Sequence, residues 1–550
     1  MQTEYTGYID RAEWRWVTLV SLTLIFFVFS PFLIIAFQNP LQSHLQFMGA
    51  LHDYTDSAAD IARMRQGAEA ELLLQFLYTP DEHSGALVHP IYALLGRLTV
   101  FAGQSPSTIY HVVRVFSALL MYLTIYHLGA SIWVKVRTRR IFFIIASVGS
   151  GFGWLVALLT GLPGGLIIPD LMIPQAFPIY ASAANVHYPL TIACLALLAS
   201  VLIPILRPGG ATQPSPENGA AVAFMGSLLL AFIYPDALLP LGLAFIISVG
   251  VYWYSHRHIS PYEWQWGLWL LVPALPVITY DILTAINNNV VAAWLRQRGY
   301  EVPSFPMLLI ALGLPLLISI PGLIRAFRRF EADGDRFMLL WLLAMIILMY
   351  LPLQLNQYLI VGLMLPLAYF ATRSIEDFWF TYIKRRFRAR VYILVIPAIV
   401  LSHVMWLFLP IFPLISGWHG MSKTLLEQDY SSALLELNQR ATPNDVILAS
   451  PELSIWIPSW TGAHTVYGHP AETLDADARL ADVRHWYQAS DSSDEICLAL
   501  LEDYHVDYVL VGQLERRLAG ADGLACVQNL TALTASDTIT IYITPFTASR

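Results

Sequence analysis

The chain is dominated by apolar runs longer than a soluble core needs, and the first of them, Trp16–Phe37, is already long enough to cross a bilayer. A hydrocarbon core takes about twenty apolar residues in a helix, because a helix satisfies its own backbone where there is no water. Comparable runs follow at Ile109–Trp133, Ile141–Thr160, Pro189–Ile205, Ala220–Ile233, Ala237–Tyr254, Trp266–Leu283, Met307–Ile324, Phe337–Leu351, Leu359–Ala371 and Val391–Leu414. They predict a mainly α protein, a polytopic transmembrane helical bundle of about eleven spans. The runs at Ala220 and Leu359 are short enough for one or both to be re-entrant. Trp16–Phe37 exceeds a signal-peptide core and lacks a small-residue cleavage site, so it reads as an uncleaved first span.

Composition agrees. Hydrophobic residues make up 56% of the chain and charged residues 13%, where soluble domains carry roughly 25% charged. The charge deficit ends near Gly417, which divides the chain into a membrane domain (1–416) and a small C-terminal soluble domain (417–550). The net charge of −8, with no Lys/Arg cluster interleaved with aromatics, excludes a nucleic-acid partner. Three cysteines are too few for a disulfide scaffold or a cysteine zinc site. Cys497 and Cys526 pair if the tail faces an oxidising compartment, or remain free thiols.

Cytoplasmic loops carry an excess of Lys and Arg. With Arg11 and Arg15 inside, alternate loops place Lys135, Arg137, Arg139 and Arg140 inside, then Arg257, then Arg325, Arg328 and Arg329, then Lys384, Arg385, Arg386, Arg388 and Arg390. The predicted topology is therefore a multi-pass protein of the cell membrane with a cytoplasmic N-terminus. Segments 38–107, 161–188 and 285–305 and the C-terminal domain then share the outer side. The Pro/Gly/Ser-rich stretch Arg207–Gly219 reads as a flexible linker on the inner side. In the tail, Ser431–Arg440, Leu474–Trp486 and Asp494–Tyr504 read as helices, and Asp445–Ser450, Asp507–Gly512 and Thr538–Ile543 as strands. That alternation predicts a small α/β domain. It contains no G-x-G-x-x-G and no P-loop, so no nucleotide site is implied.

The first outer segment holds the densest polar cluster, from His52-Asp53-Tyr54-Thr55-Asp56 through Asp60 and Arg63-Met64-Arg65-Gln66 to Thr79-Pro80-Asp81-Glu82-His83 and His89-Pro90. Asp53, Asp56 and Asp60 recur at i, i+3 and i+7, which puts three carboxylates on one face of a helix. Sugar transfer to a hydroxyl needs one such carboxylate to take the acceptor proton while the anomeric carbon becomes cationic. A solvated acidic helix face is the plainer reading of the same spacing. The second outer segment carries Asp170 and Gln175, then Asn185 and His187 at the mouth of a span. Asn and His there either hydrogen-bond a sugar or phosphate or cap a helix. His187 and His89 with nearby acids admit a divalent metal, but no fixed ligand spacing supports one. Arg114 near the start of the second span, with Arg65 and Arg97, are the candidates for an anionic lipid phosphate; snorkelling to headgroups is their ordinary role.

At these residues the chain resembles the membrane glycosyltransferases of the GT-C superfamily, which include protein O-mannosyltransferases and the aminoarabinose transferases of lipid A. Asp56, Met64-Arg65-Gln66, the stretch Thr79 to Glu82 and the helix His89 to Leu98 are similar to a run in uncharacterised bacterial members. Gly151-Phe152-Gly153-Trp154, Asp170, Pro174 and Asn185-x-His187 look like their second-loop signature, and Ile457-Pro458 and Tyr467-Gly468-His469 like parts of their tails. The resemblance implies Asp56 as catalytic base, with Asp53 as its competitor. The chain departs from it at Gln175, where those relatives have Glu, and at Asp60, where they have an aromatic.

The expected activity is an inverting transfer of a sugar from a polyprenyl-phosphate donor, drawn from the bilayer, to a hydroxyl on a glycan, lipid or protein. Arg65, Arg97 or Arg114 would meet the donor phosphate. Glu82, His89, Asp170, Gln175, Asn185 and His187 are the further binding candidates, converging with Asp56 on one pocket. A transporter or flippase, and a non-catalytic scaffold of the same fold, are the rival readings.

Overall fold

The computed structural model describes residues 7–37, 45–161, 166–206, 216–257, 261–297, 302–331, 334–352, 356–412, 423–491, 495–535 and 538–546. The chain divides into two compact units, one of Met1–Pro31, His111–Tyr280 and Gly299–Leu409, the other of Phe32–Tyr110, Asp281–Arg298 and Pro410–Arg550.

The protein is a multi-pass membrane protein. Among the described residues seven helices are long and apolar enough to cross a membrane: Arg11–Ile35, Pro106–Ile132, Val136–Thr160, His187–Ile205, Pro235–Ser255, Phe305–Arg329 and Arg385–Ile411. Trp264–Leu271 and Leu275–Asn287, bent by 42° at their break, make an eighth if the pair is one span. These are eight of the eleven expected runs. The other three are helical too, at Pro216–Ile233, Asp335–Tyr350 and Met364–Ser374, the last running on through the π-helical turn Ile375–Trp379 to Tyr382. Hydropathy counts apolar residues, whereas helix ends are set by backbone chemistry. Pro352 holds the residue before it out of the helix, so Asp335–Tyr350 ends where the apolar run does, and Gly362 at φ 71° precedes Met364–Ser374. Of the expected linker, 207–215 lie outside the described residues, and 216–219 open the helix Pro216–Ile233.

Two helices of the first unit break where glycines meet. Val136–Val148 and Gly153–Thr160 are separated by the turn Gly149–Phe152, and Phe305–Arg329 bends at Gly313 (φ 36°). A Cβ on Gly151 would sit 2.2 Å from the Ile310 carbonyl oxygen, so nothing larger than glycine fits this crossing. Backbone groups freed by the breaks are paired again. The amide of Phe152 donates to Ile310 O and that of Ser150 to Ile399 O, and the hydroxyl of Ser402 accepts from the amide of Trp154. Such re-pairing is what a non-helical backbone at membrane depth requires.

The second unit holds a five-stranded sheet. Its strands are β3 (Val446–Leu448), β4 (His464–Thr465), β5 (Val506–Val511), β6 (Thr531–Ala535) and β7 (Thr540–Ile543), in the order β4-β3-β5-β7-β6. The first three run parallel, and β7 is antiparallel to β5 and β6. Helices cover both faces. Tyr430, Leu434 and Trp456 pack with Ile447, Tyr508 and Leu510, while Trp486, Tyr487 and Leu500 pack with Val446, Val509 and Val511. A strand covered on both faces reads as a continuous apolar run, which is why β5 is buried along its whole length. Cys497 and Cys526 are disulfide-bonded, resolving the alternative the spacing left open.

The segment between the first two spans is built into this unit. Its strand β1 (Leu45–Phe47) pairs antiparallel with β2 (Leu425–Glu427), and the amide of Thr465 donates to Leu77 O. Ala58 sits in the core beside Leu434 and Trp456. The helices Tyr54–Ala68 and Pro90–Ala102 pack so closely that a Cβ on Gly96 would lie 2.0 Å from Met64 O, and one on Gly67 2.3 Å from Ala93 O. Overpacking of this kind typically costs about 1–3 kcal/mol. Gly96→Val is therefore expected to lower the thermal unfolding midpoint of the purified protein, while Gly250→Ala, with nothing within 4 Å of its added methyl, does not lower it.

Candidate functional site

The sequence YTDSAADIARMRQGA has no internal breaker and forms the helix Tyr54–Ala68. The residue before it, Asp53, adopts the left-handed conformation (φ 48°), so the helix starts one residue after the first carboxylate of the i, i+3, i+7 series. The last of that series, Asp60, is 1% exposed and accepts a hydrogen bond from Arg63 Nη1 at 2.9 Å. The three acids therefore do not form one open face. Apolar residues on both sides of Asp60 turn it into the core, and Asp56, in the first turn, keeps a side chain 43% exposed. A carboxylate there is also favoured by the helix dipole.

Asp56 is held from the far end of the chain. His469 Nε2 lies 2.8 Å from Asp56 Oδ1, across 413 residues of sequence. The amide of Ala471 donates to His469 Nδ1 at 3.1 Å, so in the neutral ring the proton sits on Nε2 and is donated to Asp56. Both ring nitrogens are occupied, and the side chain is buried. Burial opposes the charged ring, but the hydrogen bond to Asp56 and the charge of Glu472 outweigh it, raising the His469 pKa above the usual imidazole value. Glu472 in turn is ion-paired with Arg63, which bridges it to Asp60. All three are buried. Burial acts against the Arg63 guanidinium, and Glu472 and Asp60 more than compensate, holding it charged.

Further tail contacts fix the same segment. Arg65 Nη1 donates to Trp460 O at 2.7 Å and Nη2 to Asn438 Oδ1. Arg479 donates to Thr79 Oγ1 at 2.8 Å and pairs with Asp81. In Asp81 the effect of burial is outweighed by Thr79 and Arg479, which hold its carboxyl below the usual range. From the helix Asn289–Gln297 the Gln297 amide, oriented to satisfy both its ends, donates to Ala471 O at 3.1 Å and Thr473 O at 3.0 Å.

The other candidates are placed as follows. Arg97 is exposed and donates to Ala70 O, beyond the C-terminal end of the Asp56 helix, about 20 Å from Asp56 at the helical rise per residue. Glu82 is exposed, and His89 (φ 45°) faces the rings of Tyr92 and Trp294. In the first unit Arg114 is 3% exposed, donates to Ala183 O at 2.5 Å and Ala184 O at 3.1 Å, and lies over the Phe29 ring. It thus anchors the chain just before Asn185, which is buried with His187; the His187 ring stacks on Tyr234. Asp170 Oδ2 accepts from the amides of Gly151 (3.2 Å) and Gly153 (3.0 Å), holding the glycine turn. Gln175 is buried, and its backbone carbonyl accepts from Gly362. Among the described residues no group of three or more His, Cys, Asp or Glu side chains is arranged to hold a metal ion.

The residues that sequence reasoning did not assign to the site are His469, Glu472 and Arg63. Their one signal is the Tyr467-Gly468-His469 resemblance, which carries no spacing that links it to Asp56.

No protein-family model matches the chain, and no curated protein does. Solved structures do. Archaeal oligosaccharyltransferase AglB from Archaeoglobus fulgidus, in complex with an inhibitory peptide and a dolichol-phosphate, superposes with a TM-score of 0.51 at 12% identity, over 90% of this chain and 69% of that one. The same enzyme in its apo form gives 0.52 at 12% identity, with the same coverage. ArnT from Cupriavidus metallidurans bound to undecaprenyl phosphate gives 0.53 at 11% identity, over 98% of this chain and 99% of that one. Identities this low establish the fold alone: the chain shares the fold of these proteins.

Proposed function

We propose that the protein is a membrane glycosyltransferase that moves a sugar from a polyprenyl-phosphate donor to an acceptor hydroxyl on the extracytoplasmic side, with Asp56 as general base. The fold supports a lipid-linked donor, since ArnT and AglB with the same fold are bound to undecaprenyl phosphate and dolichol-phosphate. The observation that carries the reading is Asp56 itself, a partly exposed carboxylate fixed on one oxygen by a buried histidine. In the reaction the acceptor O–H gives its proton to Asp56 as its oxygen attacks the anomeric carbon. The bond from that carbon to the phosphate oxygen breaks with its electron pair, releasing polyprenyl phosphate, and attack from the opposite face inverts the configuration. The proton on Asp56 then passes to water.

The outer location is supported by the grouping of the chain. The second unit collects Phe32–Tyr110, Asp281–Arg298 and Pro410–Arg550, largely the segments that the charge rule puts outside, and every strongly basic loop falls in the first unit. The Cys497–Cys526 disulfide fits an oxidising compartment. The expected binding roles of the second-segment residues divide accordingly. Asn185 and His187, beside the Arg114 anchor, are candidate sugar or phosphate contacts, whereas Asp170 serves the glycine turn.

General-base catalysis contributes roughly 10²–10⁴-fold. Purified protein in lipid nanodiscs, given undecaprenyl-phosphate [¹⁴C]hexose and a solubilised envelope fraction as acceptor, is expected to transfer label, and Asp56→Ala to transfer at least about 100-fold less. Equal transfer by the two proteins removes Asp56 from the role. For topology, green fluorescent protein fused at the C-terminus is expected to stay dark, and alkaline phosphatase fused there to be active. The reverse pattern places the tail in the cytoplasm.

A further inference from the structure

Asp56 and His469 form a dyad in which either member would, by composition alone, qualify as the base. Geometry separates them. His469 has its Nδ1 occupied by the Ala471 amide and its Nε2 directed at Asp56, and its side chain is 5% exposed, so it offers no lone pair to an acceptor hydroxyl. Asp56 is the member that reaches outward. We propose that His469 is a positioning residue for the transfer reaction: its Nε2–H holds Oδ1 of Asp56 and so sets the direction in which the carboxylate meets the acceptor. This rests on Asp56 being the base.

Several features make the histidine suited to that task. Its backbone turn is fixed by Glu472 on Arg63, by the Gln297 amide on Ala471 and Thr473, and by the Thr473 hydroxyl, which accepts from the Gly468 amide. The Tyr78 ring, 5.6 Å between centroids, packs against the imidazole, and Tyr78 itself is anchored by its hydroxyl on Ile455 O. A donor held on this many sides does not follow Asp56 when the carboxylate moves. It pins it instead. Nε2 also carries a proton in both charge states of the ring, so the hydrogen bond to Asp56 persists through titration.

What titration changes is charge. The groups facing the imidazole are Asp56 and Arg63 from the helix Tyr54–Ala68, Tyr78 from the segment after it, and Glu472 from its own turn. Their balance favours the imidazolium relative to a free histidine. A proton on Nδ1 displaces the Ala471 amide and puts a full positive charge against the base, lowering its basicity. Transfer by the wild-type protein should therefore fall on the acid side of a pH set by His469, above the ordinary carboxylate range.

The test compares two side chains of similar length, one with a donor and one without. His469→Gln places an amide N–H near the position of Nε2, and His469→Met fills the space with none. With undecaprenyl-phosphate [¹⁴C]hexose as donor, H469Q is expected to keep the larger part of kcat, and H469M to lose about 10- to 100-fold with the KM for the donor unchanged. The acid limb set by His469 should vanish in H469Q, leaving a limb only in the carboxylate range. Equal kcat in H469Q and H469M, or an acid limb unmoved in H469Q, overturns the inference while D56A inactivity leaves Asp56 in place as base. Full activity of D56A overturns both. Independently of turnover, ¹⁵N-histidine NMR of the wild-type protein in nanodiscs, at a pH above that acid limb, should show His469, assigned by its loss in H469Q, as the Nε2–H tautomer. An Nδ1–H tautomer overturns the inference.

Discussion

Arg63 is a cation taken out of water, and the second unit is organised around its neutralisation. Removing one partner of a buried pair typically costs 3–5 kcal/mol, because the remaining charge is left uncompensated. Arg63 meets Asp60 from its own helix and Glu472 from the tail, and all three are buried. Asp60 is local and comes with the helix. Glu472 is 409 residues away, and its arrival fixes where the tail must dock on the helix Tyr54–Ala68. Since His469 lies three residues before Glu472 on the same turn, docking the pair also delivers the imidazole to Asp56. A structural ion pair and the geometry of the candidate base are thus one event.

The first unit answers a different constraint. In hydrocarbon every backbone donor needs a partner, so a glycine turn inside a span survives only where other groups replace the missing helical bonds. Gly149–Phe152 is such a turn, and its replacements come from Ile310 O, Ile399 O, Ser402 and Asp170. This gives a physical reason for Gly151-Phe152-Gly153-Trp154 and Asp170 to occur together in a sequence. The carboxylate accepts from Gly151 and Gly153, and only glycine lets the turn cross the bend at Gly313. A co-occurring acid and glycine pair can report on a fold as readily as on a reaction.

What was legible in the sequence follows the range of the interactions involved. Apolar runs and strand alternation are local, and all eleven expected spans are helical while the three expected tail strands appear as β3, β5 and β7 within a residue or two. Helix boundaries were less legible: Gly362 at φ 71° falls inside the expected run Leu359–Ala371, whose α-helix starts only at Met364. β4 and β6 escaped notice because β4 is two residues long and β6, Thr531–Ala535, has a single large apolar residue, Leu533. The helix of Asp56 was visible, but its register was not. The i, i+3, i+7 rule assumes that all three acids are helical, and Asp53 at φ 48° is not.

The site partners were the least legible part, because nothing local marks them. His469 and Glu472 matter through residues more than 400 positions away, and Arg65, chosen in sequence as a phosphate contact, is engaged by Trp460 O and Asn438. An arginine has the same local signature in a sequence whether it binds a phosphate or a carbonyl of its own chain; the difference lies in what the fold brings to it. The same holds for the dyad. An aspartate hydrogen-bonded to a histidine can orient a histidine base, or be the base that a histidine orients. What separates the cases is which of the two reaches solvent and whether the imidazole keeps a nitrogen open. Here the carboxylate is the exposed partner, and the ring has both nitrogens engaged, one by a backbone amide that can only donate.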